Sequence, residues 1–207
     1  MSYSFDGRFS VSAKPLREVI RRGSSILEGR GILFMETVWP LSEAGDGLTL
    51  AALEPVAAES IDNVVAMTAG WRGLSLEWYS PDFGEVYLRV FTARDDAGSL
   101  VVYNEGKAAV RARFNDSEAK AELVGMLTEF MQDLDVSMCT YGDKSGGDYQ
   151  PPTTSDIEDM LDPSVKWPKD LAISNVHSLP QRLLAKLRAD EELVGWTIDD
   201  RVIVSRI

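Results

Sequence analysis

LSLEWYSPDFGEVYLRVFTARDDAGSLVVY, residues 74–103, is the stretch on which the fold of this 207-residue chain turns. Leu74 to Tyr79, Glu85 to Thr92 and Ser99 to Tyr103 read as three short strands, the middle run (EVYLRVFT) alternating most cleanly between apolar and polar side chains. Between the runs lie Ser80-Pro81-Asp82-Phe83-Gly84 and Asp95-Asp96-Ala97-Gly98, whose Pro, Asp and Gly supply turn chemistry. A fourth run, Ala108 to Phe114, follows Asn104-Glu105-Gly106-Lys107. Short alternating runs joined by such turns predict an antiparallel meander.

C-terminal to the meander, Asn115 or Asp116 is placed to cap a helix. Asp116, Glu118 and Glu122 suit its positive N-terminal end. Leu123, Met126, Leu127, Phe130, Met131 and Leu134 recur at helical spacing, and that face is expected to pack on the meander. Val136 to Tyr141 reads as a further strand. On the N-terminal side, Tyr3 to Ser12 is a strand or a hairpin around Asp6-Gly7. A helix is expected from Ala13 with Pro15 in its first turn, then a strand over residues 32–39 ended by Pro40. Leu48 to Ala58 reads as a strand with a turn at Pro55, and Ser60 caps a helix reaching Ala69. The fold class is α+β: an antiparallel β-meander with helices packed on one face, plus a C-terminal helix and hairpin.

Composition shifts after residue 141. Gly142 to Thr154 (GDKSGGDYQPPTT) has the Gly, Pro and polar content of a loop or linker. The expected division is a main domain over residues 1–141, a loop or linker over 142–154, and a helix-hairpin portion over 155–207 that belongs to the same domain or stands beside it. Within that last portion a helix is expected over Leu179 to Asp190 and a hairpin across Asp199-Asp200.

The 33 Asp and Glu outnumber the 21 Lys and Arg, for a formal net charge of −12. Acidity opposes binding to phosphate backbones and steers basic partners, so nucleic acid is disfavoured as a ligand. No run of about 18 apolar residues exists for a transmembrane helix. The N-terminus lacks the basic-then-apolar pattern of a signal peptide, and Cys139 has no second cysteine to pair with. Those readings place the chain in the cytoplasm, without a membrane partner.

One His and one Cys exclude most familiar catalytic motifs: G-x-S-x-G, H-E-x-x-H, paired C-x-x-C and the Walker A loop are all absent. His177, ahead of the C-terminal helix, has the chemistry of a general base, but a loop or cap imidazole is the plainer reading. Cys139 sits in an apolar strand candidate with no basic sequence neighbour, which suits an inert buried thiol. No metal site and no cofactor are expected. The acidic residues between 148 and 163 lack the alternating ligands, Gly and distal Glu of a calcium loop.

Two clusters remain as candidate partner-binding sites. Ser155 to Asp162 (SDIEDMLD) offers Asp156, Glu158, Asp159 and Asp162 at a helix start capped by Ser155, with Glu158 and Asp162 on one face. Trp78 and Tyr79, with Asp82 and Glu85 beside them, form an aromatic-acidic cluster suited to an Arg or Lys from a partner. Trp78 and Tyr79 are strand neighbours and face opposite ways, so at most one joins the core. The plainer alternatives are a solvated helix start beside a loop for the first cluster and, for the second, core packing by one of the two aromatics with turn chemistry for the rest.

In size, acidity, lack of an export signal and the sheet-plus-helix pattern of Leu74 to Leu134, the chain resembles immunity proteins of bacterial polymorphic-toxin systems, including those paired with type VI effectors. The resemblance implies a binding protein that occludes a cognate toxin, and no motif carries individual residues over. The expected function is neutralisation of a basic protein partner without enzymatic activity. The alternatives are a carboxylate-based metal-dependent hydrolase and a structural adaptor of a larger assembly. The oligomeric state is left open.

Overall fold

The N-terminal segment is one strand, β1 (Ser4–Ser12), and it occupies the middle of the sheet. In the computed structural model, residues 4–12, 14–43, 50–69, 71–81, 84–92, 97–105, 116–143, 152–166, 169–190, 192–196 and 200–206 are described. β1 pairs antiparallel with β7 (Ala97–Glu105) along its whole length and with β8 (Met138–Asp143) on its other side. No hairpin forms at Asp6-Gly7.

The expected meander is present as β5 (Gly73–Ser80), β6 (Gly84–Thr92) and β7, in continuous antiparallel register. Gly84 closes the first turn with a φ of +70°, a left-handed conformation that favours glycine. The fourth expected run, Ala108 to Phe114, lies outside the described residues. Beyond β5 come β2 (Leu33–Glu43) and, on its far side, the short strands β3 (Leu50–Ala52) and β4 (Val56–Ala57). On the other flank, β8 leads to β9 (Leu171–Asn175), β11 (Arg201–Ser205) and β10 (Val194–Trp196), so the C-terminal hairpin forms as expected.

Pro40 does not end its strand, contrary to expectation. β2 runs through it to Glu43, and Pro40 stands opposite Leu74. Its carbonyl accepts a hydrogen bond from the Leu53 N–H at 2.9 Å. A strand residue directs its nitrogen and carbonyl to the same side, so the missing N–H falls in the gap between β3 and β4, where no ladder bond is lost.

Among the described residues, three helices cover one face of the sheet. α1 (Leu16–Gly29) begins directly after Pro15, α2 (Ile61–Met67) is capped by Ser60, and α3 (Ser117–Asp133) is capped by Asp116, which accepts from the Ala119 N–H at 3.0 Å. The α3 residues Leu123, Met126, Leu127, Phe130 and Met131 are all buried, with Leu134 just beyond the helix end, as the spacing predicted. Phe130 meets Phe9 of β1 with ring centroids 5.6 Å apart. Gly23, in the middle of α1, is a contact point: a Cβ there would stand 3.0 Å from Leu88 Cδ2. Glycine lets α1 approach β6 closely.

The other two described helices sit on the opposite face. α4 (Thr154–Leu161) and α5 (Gln181–Ala189) contribute Ile157, Met160, Leu183, Leu184 and Leu187 to a second core with Met138, Ala172, Val202 and Val204. Those strand residues alternate with Cys139, Ile173 and Ile203, which belong to the first core. The period-2 alternation of strands thus feeds two cores from the same three strands. β8 extends through Gly142 to Asp143, so the expected linker begins later than its composition suggests, and residues 144–151 lie outside the described set.

A charged pair is buried in β1. Arg8 Nε and Nη2 donate to the two carboxylate oxygens of Asp6 at 3.1 and 2.9 Å, and both side chains are nearly withdrawn from water. Losing Arg8 strands the Asp6 carboxylate in a buried position. Arg8→Met alone is expected to lower stability in urea denaturation by about 3–5 kcal/mol, and the double change Asp6→Leu with Arg8→Met by clearly less than the sum of those two changes made singly.

Candidate functional site

The acidic run forms α4, but it starts earlier than Ser155. Thr153 is the N-cap, because Asp156 three residues on folds back to it. Asp156 Oδ2 accepts from the Thr153 N–H at 2.7 Å and from its hydroxyl at 3.2 Å. A carboxylate in that position satisfies a helix-end donor and meets the positive end of the dipole. Asp156 is therefore committed to holding α4 together.

Asp162 has a local task as well. As C-cap of α4 it accepts from the Ser164 hydroxyl at 2.6 Å and the Ser164 N–H at 2.8 Å. These bonds, the hydroxyl first, hold its carboxyl below the ordinary carboxylate value, with smaller attraction from Lys186 and Arg206. Arg206 in turn donates through Nε to the Met160 carbonyl at 2.8 Å, which ties the chain's last strand to the end of α4.

Between α4 and α5 lies an open groove of about 800 Å³ lined by Glu158, Asp159, Asp162, Asp190, Arg182 and Lys186. Four carboxylates face two cations there, so negative charge is in excess. Glu158 is paired with Arg182 at 3.1 Å across the groove. Asp190 accepts from the Leu193 N–H at 3.1 Å. Asp159 is exposed. Sequence reasoning found the α4 side of this groove and missed the α5 side. Arg182 lies 24 residues from Glu158, and nothing in local spacing announces that contact.

The aromatic-acidic cluster divides. Trp78 is buried against Phe34, ring centroids 5.2 Å apart, and has no surface to offer a partner. This corrects its assignment to a binding site: its strand phase is that of the core residues Leu74 and Leu76. Tyr79 points the other way and is 44% exposed. Glu85 is exposed beside it in register and accepts a hydrogen bond from Tyr87 at 3.3 Å. Asp82 lies outside the described residues. The two clusters do not meet: β8, β1, β7 and β6 separate β9 from β5, which is about 24 Å at the usual strand spacing.

The chain's two nucleophile and base candidates stand apart. Cys139 is fully buried on β8, and burial pushes its thiol up to about 12, only partly offset by a backbone hydrogen bond from Ile173. His177, on the short 3-10 turn Val176–Ser178, has a side chain 86% exposed, with Asp200 at 3.7 Å. A buried neutral thiol and a solvated imidazole make no dyad. Among the described residues, no group of three or more His, Cys, Asp or Glu is arranged to hold a metal ion. No helix of the described residues is long and apolar enough to cross a membrane.

No protein-family model matches the chain. No curated protein matches it either. Among solved structures it is similar to a T6SS protein of Pseudomonas aeruginosa, with 15% sequence identity and a TM-score of 0.48. The match covers 99% of this chain and 65% of that one, so the chain spans less than two thirds of that protein.

The depressed Asp162 carboxyl adds stability above its unfolded value, which is lost as pH falls through its folded value. A carbon-detected NMR titration is expected to place the Asp162 midpoint below 3.8, and Ser164→Ala to move it upward.

Proposed function

We propose that this chain is an acidic cytoplasmic binding protein that neutralises a basic protein partner, as immunity proteins do with their toxins, and that it acts by occlusion and not by catalysis. The observation that carries this reading is the groove between α4 and α5. It is open, its rim is richer in carboxylates than in cations, and a chain of net charge −12 surrounds it. A Lys or Arg entering it would meet Asp159 directly and compete with Arg182 for Glu158. Charge arranged this way acts mainly on the encounter: steering raises association rates far above the neutral range of about 10⁵–10⁶ M⁻¹s⁻¹.

The local duties of the acids decide which to change. Asp156 and Asp162 hold the two ends of α4, and their removal would confuse lost binding with lost helix. Glu158 and Asp159 are the informative pair. The partner to test is the product of the neighbouring reading frame in the genome. With that protein, Glu158→Gln with Asp159→Lys is expected to slow association by about tenfold, with a smaller change in dissociation. Circular dichroism should be unchanged. An unaltered association rate would remove the groove from the binding surface, and a neighbour that shows no binding at all would count against the immunity role.

A further inference from the structure

The beginning of β2 is an exposed apolar strand edge. Leu33 is 63% and Met35 46% exposed, while Phe34 between them turns inward to pack against the core. Leu33 stands opposite Tyr79 in the β2–β5 register, and Tyr79 stands opposite Glu85. Side chains in such cross-strand pairs lie about 5 Å apart, so Leu33 and Tyr79 form one apolar surface ending in a carboxylate. On the side of β2 away from β5, β4 pairs only with Thr37 and Val38, and β3 only with residues 41–43. The Ala58 N–H bonds the Glu36 carbonyl at 2.9 Å. Among the described residues, no strand flanks 33–35 on that side.

Two further observations give this edge a purpose. The register slips between Phe34 and Val38, and within that bulge Glu36 holds a left-handed φ of +55° although it carries a side chain. Conformations of that kind are unfavourable for a residue with a side chain, and binding segments are among the places where they persist. Charge is the second. Residues 31–71 contain six carboxylates and no Lys, Arg or His. Glu36, Glu59 and Glu85 are exposed around the apolar positions.

We infer that the edge at residues 33–35 receives an extended partner segment in which apolar residues alternate with Lys or Arg, added to the sheet as a further strand. Main-chain hydrogen bonds supply affinity in such additions, and alternate side chains supply specificity. Here the partner's apolar side chains would rest on Leu33 and Met35, on the face that Tyr79 continues, while its cations point to the other face, toward the acids near the bulge, Glu36 and Glu59. The inference rests on the reading that the partner is basic, but it uses a surface on the opposite flank of the sheet from the α4–α5 groove.

The test uses the full chain and a dye-labelled synthetic peptide of alternating Val and Lys, with binding read by fluorescence anisotropy and the footprint by amide hydrogen exchange. Binding should protect amides at 33–36. Leu33→Lys with Met35→Lys, both solvent-facing and so compatible with folding, should raise the Kd by about tenfold or more. Glu158→Gln with Asp159→Lys should leave the Kd unchanged. Loss of binding in that groove variant alone would overturn the edge site while leaving the proposed function standing. Equal binding of a peptide with Glu in place of Lys would overturn the charge argument. Absence of protection at 33–36 would mean that the bulge only blunts the edge. Dimerisation abolished by Leu33→Lys would assign the edge to a second copy of this chain.

Discussion

Everything in the fold is hung on the pairing of β1 with two strands that come from distant parts of the chain. Its nine residues bond β7 of the meander on one side and β8 on the other. Without that strand the sheet would have a gap between its two halves. The same strand supplies Phe9 to the core beneath α3 and, on the opposite face, the buried Asp6–Arg8 pair. A buried ion pair is costly to form and more costly to break, and its main contribution is to fix one arrangement over its competitors. A slip of β1 by one residue would turn Phe9 outward and both charges into the apolar core. Register and side-chain chemistry therefore enforce each other.

Much of this was legible in the sequence. The meander, α2 with its Ser60 cap, α3 with its Asp116 cap, and the C-terminal hairpin all follow from local periodicity and end signals. What was not legible depends on partners remote in sequence. Pro40 reads as a strand terminator until the gap between β3 and β4 is known to lie beside it. Ser155 reads as a cap until Asp156 is seen to fold back on Thr153. That α4 and α5 cover the face opposite α1–α3 follows from the alternation of β8, β9 and β11, which a one-sided reading of α3 could not supply. Trp78 and Tyr79 were separable in principle by strand phase, and only Tyr79 keeps an exposed surface. The Asp6–Arg8 pair carried a signal that went unused, since residues two apart in a strand share a face.

The acidity of the chain resolves into tasks. Asp116, Asp156 and Asp162 work on helix ends, and Glu18, Asp62, Glu129 and Glu158 hold Arg22, Arg21, Arg30 and Arg182. Those carboxylates are partly spoken for by the fold, though the exposed pairs contribute little to stability individually. Beyond them, among the described residues, Asp159 at the α4–α5 groove and Glu36 and Glu59 within residues 31–71 are exposed acids to which no such duty falls. Surplus negative charge destabilises a compact state through self-repulsion. The proposed function gives that surplus a use, the capture of a positively charged partner.

The ionic-strength dependence of association with the partner addresses that claim most directly. If acidic surfaces capture a basic protein, the association rate constant falls steeply as salt rises through the range where the Debye length shrinks from about 30 to 8 Å, while dissociation changes little. An association rate that stays flat across that range, with tight binding retained, would contradict the account.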